Sequence, residues 1–290
     1  MEYRELSNGV RMPVIGYGVF QIPPERTERC VRDALEVGYR LIDAAQAYGN
    51  EAGVGKAIRE SGIDRGEVFV TSKVWVSNMN YERAKASIDA SLETMGLDHI
   101  DLMLLHQAYG DYHGAWRALE EAYHDGKLRA IGVSNFYPVR LMDMCAFAEI
   151  PPMVNQVETH VFCQQVEAHE NMNRLGVVHE AWGPFAEGRN GVFVSPVLTG
   201  IGEKHGKSTA QVMLRWMMDR DIVPLPKSTH RERMTENLDV FDFTLDDADR
   251  SAIAAMDGGH PMIWDHGSVK VGMGLFDLIA NVQLQGSKLY

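Results

Sequence analysis

Cysteine is scarce in this chain: its 290 residues include only Cys30, Cys145 and Cys163. An odd number of widely separated cysteines provides neither a disulfide framework nor the ligand spacing of a metal site. Buried free thiols are typical of a reducing compartment. We therefore expect a cytoplasmic protein that binds no metal through cysteine.

Basic residues are also few, because 28 Lys and Arg stand against 40 Asp and Glu, for a net charge of −12. So acidic a chain is not expected to bind nucleic acid or a membrane surface, and any polyanion must meet a local basic site. Long apolar runs are missing as well, so no membrane span is expected. The first residues lack the basic and apolar regions of a signal peptide.

Short apolar runs of strand length are present instead, and each is nearly continuous, as in a buried parallel strand. The eight predicted strands are 14–17, 39–42, 68–71, 100–105, 128–133, 153–155, 177–181 and 222–224. Amphipathic stretches lie between them and predict helices at 27–37, 81–95, 114–124, 138–147, 166–174 and 209–219. This alternation favours an α/β fold of the (β/α)8 TIM-barrel type.

Further elements surround the predicted barrel. Residues alternate around Asn8-Gly9, which indicates an N-terminal β-hairpin. Two extra helices are expected at 196–205 and 246–256. Residues 257–290 form a tail, with periodic character only at 275–282, which we expect to pack over the barrel mouth. No linker composition divides the chain, so one domain, 1–290, is predicted.

Polar side chains terminate three of the predicted strands, at Asp43, Lys73 and His106, and Tyr48 follows Asp43 on the next loop. The carboxyl ends of parallel barrel strands meet at one face, where barrel enzymes carry their chemistry. A phenol ordinarily titrates near pH 10, and a neighbouring ammonium held by a carboxylate would lower that pKa. With an imidazole that can hydrogen-bond a substrate oxygen, these groups can protonate an oxygen on which negative charge develops.

The chain resembles the aldo-keto reductases over about residues 3–245. The resemblance is carried by an ordered series of segments: Gly16-Tyr17-Gly18-Val19-Phe20, Asp43 with Tyr48-Gly49-Asn50-Glu51, Ser72-Lys73-Val74-Trp75, Leu104-Leu105-His106, Ile131-Gly132-Val133-Ser134-Asn135-Phe136, Asn155-Gln156, Ala181-Trp182-Gly183-Pro184, and Pro226-Lys227-Ser228 with Arg233, Glu236 and Asn237. Details resemble the bacterial branch with diketogluconate and methylglyoxal reductases. The resemblance implies that Tyr48 is the general acid, that Lys73 lowers its pKa, that Asp43 pairs with Lys73, and that His106 orients the carbonyl.

The resemblance also implies an NADPH/NADP+ cofactor bound without a Rossmann fold. Ser134, Asn135 and Gln156 would bind its carboxamide, and Trp182 would stack on the nicotinamide. The remaining implied cofactor residues are Val19, Asp43, Gly183, Phe185, Lys227, Ser228, Arg233, Glu236 and Asn237. Lysine and arginine at a helix start form a local phosphate site on an otherwise acidic protein, which favours NADPH over NADH.

An apolar pocket for a small aldehyde or ketone is expected around Phe20, Tyr48, Trp75 and His106, with Trp264 from the tail. Two residues depart from the family pattern: Gly183 replaces a common serine, and Gln107 follows the histidine in place of Trp or Pro. The family favours a monomer. One alternative is a weakly catalytic, nicotinamide-binding regulatory protein of the same fold. Another is an aldolase with Lys73 as Schiff base, which Asp43 disfavours because a carboxylate keeps lysine protonated.

Overall fold

Eight parallel strands form the centre of the computed structural model, which describes residues 1–276. Their order in the sheet follows the chain, from β3 to β10. These strands are β3 (Tyr17–Gly18), β4 (Leu41–Asp43), β5 (Phe69–Val74), β6 (Ile100–Leu105), β7 (Leu128–Ser134), β8 (Val154–Glu158), β9 (Val178–Trp182) and β10 (Val223–Pro224).

The sheet closes on itself between its first and last strands. The backbone N–H of Gly16 donates to the Pro224 carbonyl at 3.0 Å, and that of Gly18 donates to Pro226 at 3.1 Å. An added Cβ at Gly16 would lie 2.2 Å from the Leu41 side chain, so a larger residue here would force that side chain to move. The predicted barrel of eight strands is therefore confirmed.

Helices follow the strands and cover the barrel. They are α1 (Pro24–Val37), α2 (Glu51–Arg59), α3 (Tyr81–Met95), α4 (Tyr112–His124), α5 (Pro138–Phe147), α6 (Val166–Leu175), α7 (Pro196–His205), α8 (Thr209–Asp219), α9 (Arg231–Leu238) and α10 (Asp247–Ala254). The six helices named from amphipathic spacing are confirmed, as are the extra helices α7 and α10. Among residues 1–276, no helix has both the length and the apolar character needed to cross a membrane.

The predicted hairpin is also present, as strands β1 (Tyr3–Glu5) and β2 (Arg11–Pro13) pairing around a turn at Asn8-Gly9. It lies at the amino-terminal end of the barrel. Asn8 donates to the carbonyl of Arg129 at 2.9 Å, near the start of β7, and Arg4 pairs with Asp221, just before β10. The hairpin thus covers the end opposite the strand termini that carry the candidate site.

Strand boundaries were the least accurate part of the sequence prediction. The first strand lies at Tyr17–Gly18 rather than 14–17, and β5 and β8 extend three residues further than predicted. Each extension includes polar residues, such as Lys73 and Glu158. Backbone groups of polar residues pair in the ladder as well as those of apolar ones, so a hydrophobic pattern ends before the strand does.

The described part of the C-terminal tail packs at the carboxyl ends of the strands. Gly258 donates to the carbonyl of Phe162 at 2.9 Å, and the rings of Tyr109 and Phe276 are 5.3 Å apart. Residues 269–276 are helical. Residues 277–290, with most of the predicted periodic stretch, lie outside the described residues.

Helices α2 and α3 pack closely at Gly55, where an added Cβ would lie 2.0 Å from the Met95 carbonyl oxygen. We expect Gly55→Ala to destabilise the protein by about 1–3 kcal/mol, because the backbone must move to relieve the overlap. Urea unfolding followed by circular dichroism measures this change. Gly200→Ala is the matched control, since no atom of residues 1–276 lies within 4 Å of a Cβ added at this helical glycine. The control should stabilise by about 0.5–1 kcal/mol; equal effects of the two changes would contradict the packing argument.

Candidate active site

The four predicted catalytic residues come together at the carboxyl ends of three adjacent strands. Asp43 is the last residue of β4, Lys73 lies near the end of β5, and His106 directly follows β6. Tyr48 ends a short 3-10 turn, Gln46–Tyr48, in the loop after β4. The parallel register places Asp43 opposite Thr71 and Lys73 opposite Leu104, so the three strand ends lie at one level of the barrel.

Lys73 is fully buried and forms an ion pair with Asp43. Its Nζ donates to both carboxylate oxygens and to the Ala44 carbonyl at 2.9 Å. The same Nζ lies 3.5 Å from the Tyr48 hydroxyl. A buried charge needs partners of this kind, since an unpaired one would be strongly destabilising.

Different influences dominate the pKa values of Lys73 and Tyr48, the two titratable groups at the centre of the site. Burial acts to lower the pKa of Lys73, but the charges of Asp43 and Tyr48 outweigh burial and raise it. Burial is the largest influence on Tyr48 and raises its pKa to about 12, although Lys73 acts in the opposite direction. Lys73 thus acts to lower the pKa of Tyr48, as expected, but burial raises that pKa by more. In the protein alone, the Tyr48 phenol keeps its proton at neutral pH.

His106 is an uncharged imidazole at the same site. Burial first, and then the charges of Lys73 and His266, hold its pKa well below the usual range. Its ring is edge-on to Tyr48 at 5.7 Å and to Trp75 at 5.1 Å between centroids. Among the described residues, its Nδ1 is buried without a hydrogen-bond partner.

Asn135 holds two neighbouring groups in place from the end of β7. Its backbone has a φ of +62°, a left-handed conformation that asparagine tolerates better than most residues. Its side-chain nitrogen donates to the His106 carbonyl at 3.0 Å, and its oxygen accepts from the Trp182 indole at 2.9 Å. Ser134 donates to the backbone of Gln156 at 2.9 Å. These contacts fix the predicted carboxamide and stacking residues relative to His106.

Gln156 is oriented toward the barrel interior. Its amide nitrogen donates to Asp43 at 3.1 Å and to Glu180 at 2.7 Å. Both protons of that amide therefore bind carboxylates inside the protein, and the side-chain carbonyl is what a nicotinamide carboxamide could meet. The role of Gln156 in binding a cofactor stays a prediction.

The predicted phosphate-binding residues lie apart from the four central side chains, between β10 and the first turns of α9. Lys227 and Arg233 are exposed, whereas Ser228 and Asn237 are buried and Glu236 is half-buried. Neither cation forms an ion pair within residues 1–276, although most arginines and lysines nearby do. Among the residues that the structure describes, no side chain caps the start of α9. Two uncompensated cations beside free helix N–H groups fit an anionic phosphate.

Aromatic residues lie around the central groups at this end of the barrel. Phe20 is half-exposed and packs on Tyr48, with ring centroids 4.9 Å apart. Trp75 contacts His106, and Trp264 is partly buried with its ring edge-on to His266 at 5.8 Å. The structure thus brings all five predicted pocket residues to the same end of the barrel.

Three further predicted cofactor residues lie at this end in different environments. Val19 is buried, and its backbone N–H donates to the Asp43 carbonyl at 3.0 Å. Gly183 has a φ of +64°, and an added Cβ would lie 3.2 Å from Ile263. Phe185 packs on Phe193 at 5.5 Å.

Sequence reasoning missed two buried carboxylates, Glu180 in β9 and Glu158 at the end of β8. Glu180 has no exposed surface and meets Asp43 through the shared Gln156 amide. Burial, and then the charge of Asp43, raise its pKa to about 8. Glu180 lies inside the predicted strand 177–181, where a charged residue is a signal, whereas Glu158 lies beyond the predicted strand 153–155 and gave none.

Comparison with known proteins gives a consistent result. The family model described as "Aldo/keto reductase family" matches residues 14–191 and 193–257. The chain is 47% identical over 255 residues to glyoxal reductase from Bacillus subtilis, covering 87% of this chain and 91% of the relative. It is 43% identical over 268 residues to morphine 6-dehydrogenase from Pseudomonas putida, covering 88% and 90%.

A solved structure is similar over most of the chain. The Bombyx mori aldo-keto reductase in complex with NADP superposes with a TM-score of 0.85 at 30% identity, covering 90% of this chain and 94% of the other.

The strand ends bring together four groups: a phenol, an ammonium, a carboxylate and a neutral imidazole. Together these groups can deliver one proton to an oxygen that becomes negatively charged.

Glu180 should make the stability of the protein depend on pH. Its folded pKa of about 8 exceeds the unfolded value of about 4.3, so wild-type stability is lost as pH rises between these values. Glu180→Gln removes this loss. We expect the difference in unfolding free energy between variant and wild type to grow by on the order of 2–4 kcal/mol from pH 5 to pH 8. Urea unfolding across pH measures it, with exposed Glu93→Gln as control; a difference independent of pH would contradict the argument.

Proposed function

The chain belongs to the aldo/keto reductase family, and on that basis we propose that Tyr48 donates the proton in its NADPH-dependent reduction of a small aldehyde or ketone. The observation that carries this proposal is the chain of contacts from the half-buried Tyr48 to the buried Lys73 and Asp43, beside His106 at the carboxyl ends of the strands. Reduction of a carbonyl places negative charge on its oxygen. A neutral phenol next to a fixed cation is suited to neutralising that charge.

Tyr48 supplies the proton, and Lys73 stabilises the Tyr48 phenolate that remains. When the proton moves from the Tyr48 hydroxyl to the substrate oxygen, the phenolate lies 3.5 Å from the Lys73 ammonium. Asp43 keeps that ammonium charged, because it raises the pKa of Lys73 against the effect of burial. The cation therefore acts mainly after proton transfer, when the phenolate forms.

His106 positions the carbonyl oxygen. Its pKa lies well below the usual range, so the imidazole is neutral at physiological pH and can donate one N–H without adding a charge. The contact from Asn135 to the His106 carbonyl holds the end of β6 in place. Tyr48 and His106 therefore approach the same oxygen from two strands.

The residues present fit a nicotinamide dinucleotide, which supplies the hydride when bound. Trp182, held by Asn135, presents a fixed aromatic ring for stacking, and the Gln156 amide nitrogen is engaged by Asp43 and Glu180, which leaves the side-chain carbonyl to bind the carboxamide. Lys227 and Arg233 would bind the 2′-phosphate, with Ser228, Glu236 and Asn237 nearby. The relative crystallised in complex with NADP supports the choice of cofactor.

The two alternatives are less consistent with these contacts. An aldolase using Lys73 needs an uncharged amine, whereas Asp43 keeps it protonated. A weakly catalytic, nicotinamide-binding regulatory protein would not need an intact set of four groups, and all four are present at one end of the barrel. Small dicarbonyl compounds are natural first substrates to test, since glyoxal reductase is among the relatives.

We also propose that one chain forms a single domain and acts as a monomer in the cytoplasm. One sheet takes its strands from residues 17 to 224, and all four catalytic groups come from this chain. Three free cysteines support a reducing compartment.

Removal of the Tyr48 hydroxyl should abolish reduction but not cofactor binding. We expect Tyr48→Phe to lower kcat for glyoxal or another aldehyde by about 10²–10⁴-fold, the usual contribution of a general acid. NADPH oxidation at 340 nm measures the rate, and protein fluorescence quenching measures the NADPH Kd. Tyr81→Phe, which removes a hydroxyl bonded to Glu121 on the barrel exterior, is the control. Activity retained by Tyr48→Phe would overturn the proposed role; an inactive wild type would overturn the function.

Arg233 should discriminate NADPH from NADH. We expect Arg233→Ala to raise the Kd for NADPH by about 10–100-fold, the loss of one charge-assisted hydrogen bond, and to leave NADH binding nearly unchanged. Arg231→Ala is the matched control, because Arg231 lies two residues earlier in α9 but pairs with Glu36 and Asp33. Equal weakening of both cofactors in Arg233→Ala would remove the 2′-phosphate from this position.

A further inference from the structure

Glu158, the last residue of β8, binds three consecutive backbone N–H groups of the C-terminal segment. One carboxylate oxygen accepts from Met262 at 2.7 Å and Ile263 at 2.8 Å, and the other accepts from Trp264 at 3.0 Å. The residue has no exposed surface. We call this set of hydrogen bonds the Glu158 anchor.

The Glu158 carboxylate has its full set of hydrogen bonds only while residues 262–264 are in place. His160 contributes a fourth contact, at 3.1 Å from its Nε2, and its Nδ1 accepts from the Phe162 backbone. Burial acts to raise the pKa of Glu158, but these hydrogen bonds outweigh it and hold the pKa below its usual range. Within residues 1–276 no lysine or arginine pairs with this carboxylate, so release of 262–264 would leave a buried charge poorly compensated.

The anchored segment carries side chains to the proposed carbonyl site. Ile263 lies against Gly183 at the end of β9, and Trp264 packs partly buried beside His266. The backbone of His266 accepts from the Tyr109 hydroxyl at 3.4 Å, in the loop after β6. His266 is also close enough for its charge to lower the pKa of His106, after burial and Lys73. The segment therefore bridges the strand ends on either side of the site.

We propose that Glu158 is a positioning residue that sets substrate affinity and selectivity: by fixing the backbone of 262–264 it places Trp264 and His266 as the wall of the carbonyl site between the ends of β6 and β9. This inference rests on the proposed function, because the wall has meaning only over a carbonyl site. Glu158 does not contact the four catalytic groups, so the chemical step is not its target. Its loss should raise KM and leave kcat nearly unchanged.

Hydrogen exchange tests the anchor without reference to activity. In Glu158→Gln the amides of 262–264 should lose protection by about tenfold or more, the equivalent of one charge-assisted hydrogen bond. Amides of β7 should keep theirs. Glu120→Gln is the matched control, because Glu120 is also buried and accepts one backbone N–H, from Ile150 at 2.9 Å, far from the mouth. Unchanged protection at 262–264 would overturn the anchor.

Kinetics with NADPH and a carbonyl panel then test its role. Glu158→Gln should raise KM by about tenfold for substrates that reach the wall, and kcat and the NADPH Kd should change less than about twofold. Glu120→Gln should change none of these. With Trp264→Ala, the effects on KM should be less than additive, since both changes remove the same wall. A fall in kcat with unchanged KM, or full additivity, would overturn the proposal.

A second pair of variants covers the case in which Glu158→Gln does not fold. Ile263→Pro removes one N–H of the anchor from the segment side, and Ile263→Ala removes the side chain but keeps the N–H. Ile263→Pro should raise KM beyond Ile263→Ala; equal KM values would overturn the proposal. An inactive wild type would refute the proposed function together with this inference, whereas an active wild type with unchanged KM in the variants refutes the inference alone.

Discussion

The ion pair between Lys73 and Asp43 is the interaction on which the site depends. Both groups are buried at the end of the barrel, where neither could remain charged alone. The pair fixes the ammonium next to the Tyr48 hydroxyl, and it does so from two adjacent strands joined by parallel register. The sheet therefore fixes the position of the cation, and the short 3-10 turn Gln46–Tyr48 after β4 places the phenol beside it.

Burial has opposite consequences for the groups around this pair. It keeps Tyr48 protonated and His106 uncharged, which are the states that proton donation and carbonyl binding require. Burial also raises the pKa of Glu180, which lies near Asp43, to about 8. One low-dielectric environment thus prepares an acid, a neutral donor and an excess carboxylate. The second carboxylate is a cost to stability that the shared Gln156 amide partly offsets.

Much of this could be predicted from the sequence, because strand-length apolar runs that end in Asp43, Lys73 and His106 specify both the barrel and its active face. Strand ends were misplaced where polar residues continue the ladder, as in β8. Glu158 and Glu180 were missed because their partners are distant in sequence: three backbone groups about a hundred residues away, and Asp43 through Gln156. Lys73 lowers the pKa of Tyr48 and burial raises it. Which effect is larger could not be predicted, because residue spacing in the sequence gives no measure of burial.

The hairpin of β1 and β2 has a practical consequence. It ties Asn8 to Arg129 and Arg4 to Asp221, and so seals the pole of the barrel remote from Tyr48. A surface linker or fusion partner attached at Met1 would therefore project away from the reactive pole. Immobilised through that terminus, the protein would present its open face to the surrounding liquid, with diffusion of small carbonyl compounds unobstructed by the support.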